Sequence, residues 1–195
     1  MSFLSTKDAS SYQDIGTTQF YVAGAAYGGC ATTSTGAGAV DTFYALPFFR
    51  ARGGTIGQLI FNLNTVNGAG AKGRMGVYTS TSPTNLYPDA LVVDGGEFAV
   101  DTTGTKTASV SAVLLPNRLY WFAYVQSVSF SGLLRAVGAG MVFPIFGMPS
   151  TFGTAYGAGL TVAQTYGALP STFPASATVL TAASFMPLLA ARFSL

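Results

Sequence analysis

The chain has 195 residues, a mass of 20.1 kDa and a formal net charge of +2. Only 8% of its residues are charged, against about 25% in an average soluble domain. Because the sequence contains no histidine and one cysteine, Cys30, it excludes a Ser-His-Asp triad, a histidine-ligated zinc and an internal disulfide. The basic residues are scattered, so we expect no nucleic-acid partner. We also expect no metal and no cofactor.

The length suits a single domain, or a single domain with an additional arm. The first eight residues lack the basic flank and apolar core of a signal peptide, so we expect synthesis in the cytoplasm without secretion. The longest apolar stretch, 136–149, contains Pro144 and three glycines. It is shorter than the roughly twenty residues that span a membrane, and we expect no membrane insertion.

Residues 1–40 are small and polar, with glycine clusters. This composition predicts an N-terminal arm or irregular strands. Phe20, Tyr21 and Tyr27 disfavour a free flexible tail, because disordered segments are poor in aromatic residues. We therefore place the boundary of the folded domain at residue 41, with the domain covering 41–195.

The middle of the chain, from about residue 41 to 126, alternates apolar and polar side chains with a period of two. Leu59, Phe61 and Leu63 share one face in this way, with Ile60 as the exception. Turn-forming residues recur every eight to twelve residues or so, which predicts an antiparallel sandwich or barrel. The predicted strands cover 56–63, 74–79, 90–93, 97–100, 106–115 and 119–126.

Two features of this pattern predict particular local structures. Asp94-Gly95-Gly96 is typical of a tight turn, and it separates two of the predicted strands. In the strand predicted at 106–115, the apolar side chains fall on one side. They are Ala108, Val110, Ala112 and Leu114.

The last strand of this series carries aromatic residues on both faces. Alternation places Trp121 with Leu119 and Val125, which is a core pattern, and leaves Tyr120 and Tyr124 facing outward. The outward pair has two interpretations. It contacts a neighbouring subunit, or it stacks on the ring of a sugar.

Four acidic residues lie close together in the sequence: Asp89, Asp94, Glu97 and Asp101. A calcium site or a pair of glycosidase carboxylates would need such groups, but the spacing fits no EF-hand loop. We interpret them as structural acids that bond the backbone in turns. A metal-binding or catalytic role is the alternative.

Residues 136–191 contain no charged side chain but include seven aromatic residues. Exposure of such a segment to water would promote aggregation. It either supplies core strands with uncharged loops, or neighbouring subunits cover part of it. Residues 185–193 predict a closing strand, with Pro187 at its start or at a sheet edge.

A series of short stretches follows one another through the middle of the chain. They are YALPF at 44–48, TIG at 55–57, GRMGVY at 73–78, YP at 87–88 with LV at 91–92, DTTGTK at 101–106 and LPNRLYWFA at 115–123. In this order and spacing they resemble a β-sandwich module found in virion proteins of tailed bacteriophages, over about residues 41–127. The sequence differs from that module at Asn117-Arg118, where a glycine is expected, and in having a forty-residue arm instead of a long shaft.

The resemblance implies an all-β fold, a jelly-roll-like antiparallel sandwich that follows an N-terminal arm and carries long uncharged loops. It also implies a non-enzymatic structural protein of a phage virion, assembled in the host cytoplasm. The short arm favours a capsid decoration or cement protein, or a short fibre. Its expected partners are its own copies, as a homotrimer, and the major capsid or tail proteins.

The alternative implied by the same resemblance is a tail-fibre module that binds a receptor or a glycan on the host surface. Such a module would use exposed aromatic and loop residues. The candidates for contact with a ligand or a subunit are Tyr120, Tyr124, Asn85 and Tyr87.

Overall fold

The structure, a computed structural model, describes residues 21–22, 34–36, 38–50, 52–65, 68–82, 84–128, 134–136, 157–181 and 186–194. These residues contain no helix, and therefore no helix long and apolar enough to cross a membrane. Their strands form two antiparallel sheets that pack together. The predicted all-β sandwich is confirmed.

The first sheet is built around one long strand. Its spatial order is β1 (Tyr21–Val22), β12 (Ala190–Ser194), β4 (Gly54–Leu63), β9 (Leu134–Ala136) and β2 (Ser34–Gly36). Strand β7 (Gly104–Leu114) pairs with the whole length of β4. Two short strands of this sheet, β1 and β2, therefore come from the first forty residues.

The second sheet contains the strands with the most aromatic residues. Its order is β11 (Thr178–Thr181), β10 (Gly157–Ala163), β3 (Thr42–Arg50), β8 (Arg118–Gln126), β5 (Lys72–Ser80) and β6 (Pro88–Ala99). Strands β10 and β11, at its edge, come from the uncharged segment 136–191. The described part of that segment thus supplies strands to the sandwich.

The main core lies between the two sheets. Leu59, Phe61 and Leu63 are buried there, as the alternation predicts. Ile56 is buried in the same core although its spacing from Leu59 is odd, because the register of β4 shifts next to it. Ala108, Val110 and Leu114 of the inward row of β7 also pack against this core, and Ala112 in the same row is buried.

A second core lies on the outer face of the second sheet. Residues 164–177, which we call the strap, cross this face between β10 and β11. Leu169 and Phe173 of the strap are buried against Phe43, Tyr78 and Trp121. The second sheet is therefore covered on both faces, and strands in such sheets carry nearly continuous apolar residues instead of an alternating pattern.

The predicted turn at Asp94-Gly95-Gly96 is wrong. Strand β6 runs without interruption from Pro88 to Ala99. Its register against β5 shifts by one residue near Asp94, and Gly96 has a positive φ of 79°. Here the glycine permits a β-bulge within one strand, where we had predicted a hairpin between two.

The closing strand is shorter than predicted. It begins at Ala190, three residues after Pro187, and continues to Ser194. Phe193 and Ala191 are buried in the main core. Phe185, the first residue of the predicted strand, lies outside the described residues.

Candidate functional site

Tyr120 and Tyr124, the predicted outward pair, point into the main core. Their exposed fractions are 3% and 0%. The hydroxyl of Tyr120 accepts a hydrogen bond from the backbone N of Leu115 at 2.7 Å. The ring of Tyr124 lies 5.3 Å from that of Phe61, and burial raises the pKa of its phenol.

The prediction that this pair faces outward is therefore wrong. Trp121 and Val125 are buried in the second core, as their alternation suggested. The error arises because β8 has no solvent face, so its period of two distinguishes only which core each side chain enters. Side chains this deeply buried offer no surface for a sugar or a neighbouring subunit.

The turn that carries Asn85 and Tyr87 is tied to the strap. Tyr87 donates its hydroxyl to the carbonyl of Pro174 at 2.8 Å and accepts a hydrogen bond from the N of Ala177 at 2.9 Å. Its ring packs edge-on against Phe173. Of the four predicted contact residues, only Asn85 is exposed.

Asp94 makes three hydrogen bonds at the bulge of β6. One carboxylate oxygen accepts from Gly96 N at 2.8 Å, which is the predicted local backbone bond. The other oxygen accepts from Arg74 Nη1 at 2.6 Å and from Leu169 N at 3.2 Å. This carboxylate therefore joins β5, β6 and the strap.

Glu97, three residues further along β6, binds the strap through Tyr166. Its carboxylate accepts a hydrogen bond from the Tyr166 hydroxyl at 2.9 Å and lies 3.2 Å from Lys72 Nζ. The Tyr166 hydroxyl, followed by Lys72, lowers the pKa of Glu97. Burial, followed by the bond to Glu97, raises the pKa of Tyr166 to about 12.

The structure does not bring the four predicted acids together. The carboxylate of Asp101 accepts from Gly70 N at 3.3 Å, and Asp89 contributes its backbone carbonyl to Phe173 N at 2.8 Å. In the part of the chain that the structure describes, no three acidic, cysteine or histidine side chains are grouped so as to hold a metal ion.

Sequence reasoning missed the role of Asp41. Its carboxylate accepts from Tyr166 N at 2.7 Å, and its carbonyl accepts from Gln164 N at 2.8 Å. These bonds join residues more than 120 positions apart, so no local pattern indicates them. The sequence signal for buried contacts of the strap was the group of aromatic and proline residues inside the uncharged segment 136–191.

One end of the sandwich carries exposed apolar side chains. Phe49, Val113 and Leu115, which we call the apolar end, are 53%, 66% and 52% exposed. They flank the two connections that cross between the sheets, β3 to β4 and β7 to β8. The connections touch, since a Cβ on Gly53 would lie 2.7 Å from the N of Pro116.

Arg50 stabilises this end from within. Its guanidinium lies 4.0 Å from the centre of the Phe193 ring and donates to the carbonyl of Gly53. The cation therefore ties β3 to the β3–β4 connection and to β12. These contacts fix the backbone at this end of the sandwich.

No family model matches this chain, and no curated protein or solved structure is similar enough to count as a match.

Proposed function

We propose that this protein is a non-enzymatic structural component of a bacteriophage virion, a capsid decoration protein or a short fibre. It attaches to a larger assembly of capsid or tail proteins and strengthens it. The observation that carries the proposal is the apolar end. Phe49 is exposed on the outer face of the second sheet and Val113 on that of the first, so a partner that covers this end would bury apolar side chains on both sides of the sandwich.

The low charge of the chain supports the same function. Interfaces in permanent assemblies are more apolar than the rest of a protein surface and contain few charged residues. A protein with 8% charged residues suits such contacts. The resemblance of residues 41–127 to phage virion modules supports a location in the virion.

The four residues predicted for glycan binding do not form an exposed surface together. Of these, Tyr120 and Tyr124 are buried and Tyr87 holds the strap. Asn85, the remaining one, is a single exposed side chain on a turn. Sugar-binding sites need an aromatic platform together with several polar groups.

The location is tested by immunogold electron microscopy of purified phage particles, with an antibody against this chain. Gold distributed over the head indicates a decoration protein, and gold at the tail indicates a fibre. Mass spectrometry of the same particles covers the case of a hidden epitope. If both methods fail to find the chain on particles, the proposal is refuted.

The oligomeric state is tested by sedimentation equilibrium of the purified chain. We expect a trimer, with three times the 20.1 kDa mass of one chain. In a cyclic trimer one surface of each copy binds a different surface of the next copy, and the ring closes after three copies. A monomer at all concentrations would contradict the trimer. It would not bear on the virion location, which the immunogold experiment tests separately.

A further inference from the structure

Two polar side chains of strand β8 are fully buried at the end of the sandwich that lies opposite the apolar end. Tyr124 and Gln126 are each 0% exposed. Because they are two residues apart on one strand, both point to the same face of the sheet, towards the main core. Among the residues that the structure describes, the Tyr124 hydroxyl and the Oε1 atom of Gln126 have no hydrogen-bond partner.

These two atoms complement each other chemically. Buried polar atoms nearly always have a hydrogen-bond partner, because an atom without one loses the bonds that it makes in water. Burial raises the pKa of the Tyr124 phenol, so its hydroxyl keeps its proton and can donate. The amide oxygen of Gln126 can only accept. A molecule that accepts from the first and donates to the second would satisfy both.

The surroundings of Gln126 set the orientation of its amide. The Nε2 atom donates to the carbonyl of Val128 at 3.0 Å. The opposite orientation would place Oε1 against that carbonyl oxygen, so Oε1 is the atom that needs a donor. Gly38 packs against the same amide, since a Cβ on Gly38 would lie 2.8 Å from Oε1. The acceptor is therefore held in place from two directions.

The Tyr124 hydroxyl is brought to the same cross-strand row as Gln126. In the register of β5 with β8, Gly73 is directly opposite Gln126. A Cβ on Gly73 would lie 2.9 Å from the Tyr124 hydroxyl oxygen. The phenol thus leans from its own row over Gly73, and its hydroxyl lies above the backbone that faces Gln126.

The side chains described around Tyr124 favour a small neutral ligand. The Phe61 ring lies 5.3 Å from the Tyr124 ring, and Val100 is buried beside its hydroxyl. Tyr44, the cross-strand partner of Tyr124, is also a phenol. A charged ligand would be buried here without a counter-charge, which is costly. Protein cores also contain few spaces larger than a water molecule.

We propose that one buried water molecule binds between Tyr124 and Gln126, accepting from the hydroxyl and donating to Oε1. Buried waters in folded proteins typically satisfy polar groups of this kind and are costly to remove. The site lies where the chain enters β3, since Asp41 N donates to the carbonyl of Gln126 at 3.3 Å. Together with the contact of Gly38, the water therefore strengthens the joint between the predicted N-terminal arm and the domain.

A crystal structure of the full chain, at a resolution that shows ordered water, tests the site directly. We expect one water oxygen within about 2.6–3.2 Å of both the Tyr124 hydroxyl oxygen and Gln126 Oε1. A direct hydrogen bond between the two side chains, with no water, would overturn the proposal. A different partner for each of the two atoms would overturn it as well.

Tyr124→Phe tests the contribution of the water to stability. We expect the unfolding equilibrium constant, measured in urea, to rise about tenfold, because the water loses the donor that it accepts from. A hydroxyl buried without any partner predicts the opposite, a variant at least as stable as the wild type. Tyr120→Phe is the matched control on the same strand. Its hydroxyl has a protein partner, the N of Leu115, so its loss shows the effect of one removed bond.

Gln126→Met shows whether the two atoms share one partner, since it removes the acceptor and keeps a similar length. In the Gln126→Met background we expect Tyr124→Phe to change the unfolding constant by less than about threefold, because the water has already lost its other contact. A tenfold effect in both backgrounds would mean that the hydroxyl has a partner independent of Gln126, and would refute the bridge. If Gln126→Met does not fold, the crystal structure of the wild type decides. All of these measurements use the purified chain and do not depend on a location in the virion.

Discussion

Asn117 has a φ of +54°, in the left-handed region. This explains why a glycine is expected at this point of the β7–β8 turn, since glycine adopts the conformation without strain. Asparagine is among the few other residues that tolerate it. Asn117 therefore supplies the left-handed conformation for which the sequence analysis expects a glycine.

Gly53 lies in the neighbouring β3–β4 connection, and its φ is +63°. We expect Gly53→Ala to lower the free energy of unfolding by about 2–4 kcal/mol, because left-handed strain adds to overlap with the backbone of 114–116. The matched control is Gly70→Ala, with a φ of +78° and nothing within 4 Å of the added Cβ. It isolates the strain of the left-handed conformation, about 1–2 kcal/mol.

Urea unfolding, followed by the fluorescence of Trp121, measures both glycine variants. If Gly53→Ala costs no more than Gly70→Ala, the two connections do not pack as tightly as described. If both variants are neutral, the backbone conformation at these turns is wrong.

At the scale of the strand, the strap covers the outer face of the second sheet. It gives that sheet a second apolar layer, so the sandwich has three layers in this region. Tyr87 is the residue that joins the strap to the turn before β6, through one donated and one accepted hydrogen bond.

We expect Tyr87→Phe to lower the free energy of unfolding by about 1–3 kcal/mol, because Pro174 O and Ala177 N lose their partner in a partly buried place. Thermal unfolding measures the loss, and Thr84→Ala, an exposed substitution in the same turn, is the control, expected within about 0.5 kcal/mol. Equal unfolding temperatures for wild type and Tyr87→Phe would contradict the described role of this hydroxyl.

Most of the strands were predictable from the alternation of side chains, and the strap was not. The inward row of β4 at Leu59, Phe61 and Leu63 is visible in the sequence because its opposite face is largely polar. In β8 both faces are apolar, so no pattern tells which tyrosines meet solvent. The bonds from Asp41 and Asp94 to the strap connect residues distant in sequence, and only the folded chain brings them together.

At the scale of the whole molecule, exposed apolar side chains are concentrated at one end. Among the described residues, three of the six exposed large apolar side chains form the apolar end. The other end contains most of the ion-paired and bonded acids, including Glu97 and Asp101. The proposed attachment surface thus lies at the end of the sandwich opposite Glu97 and Asp101.

We expect the double variant Val113→Ser with Leu115→Ser to fold normally, because both side chains are already exposed. Its binding to particles stripped of this protein should fall by roughly thirtyfold, since burial of each of the two side chains contributes about 1 kcal/mol. Cosedimentation with the stripped particles measures this binding. Val179→Ser, an exposed valine on β11, is the control and should bind like the wild type; equal binding by all three proteins would contradict the assigned surface.

The position of β12 determines when the sandwich can be completed. This strand pairs with β4 although some 130 residues separate them in the chain, and β1 then pairs with β12. A ribosome therefore has to synthesise residues 190–194 before the first sheet can close. Contacts between such distant residues make folding slow, so we expect the chain to remain incompletely folded, and exposed to chaperones, at least until residues 190–194 have been synthesised.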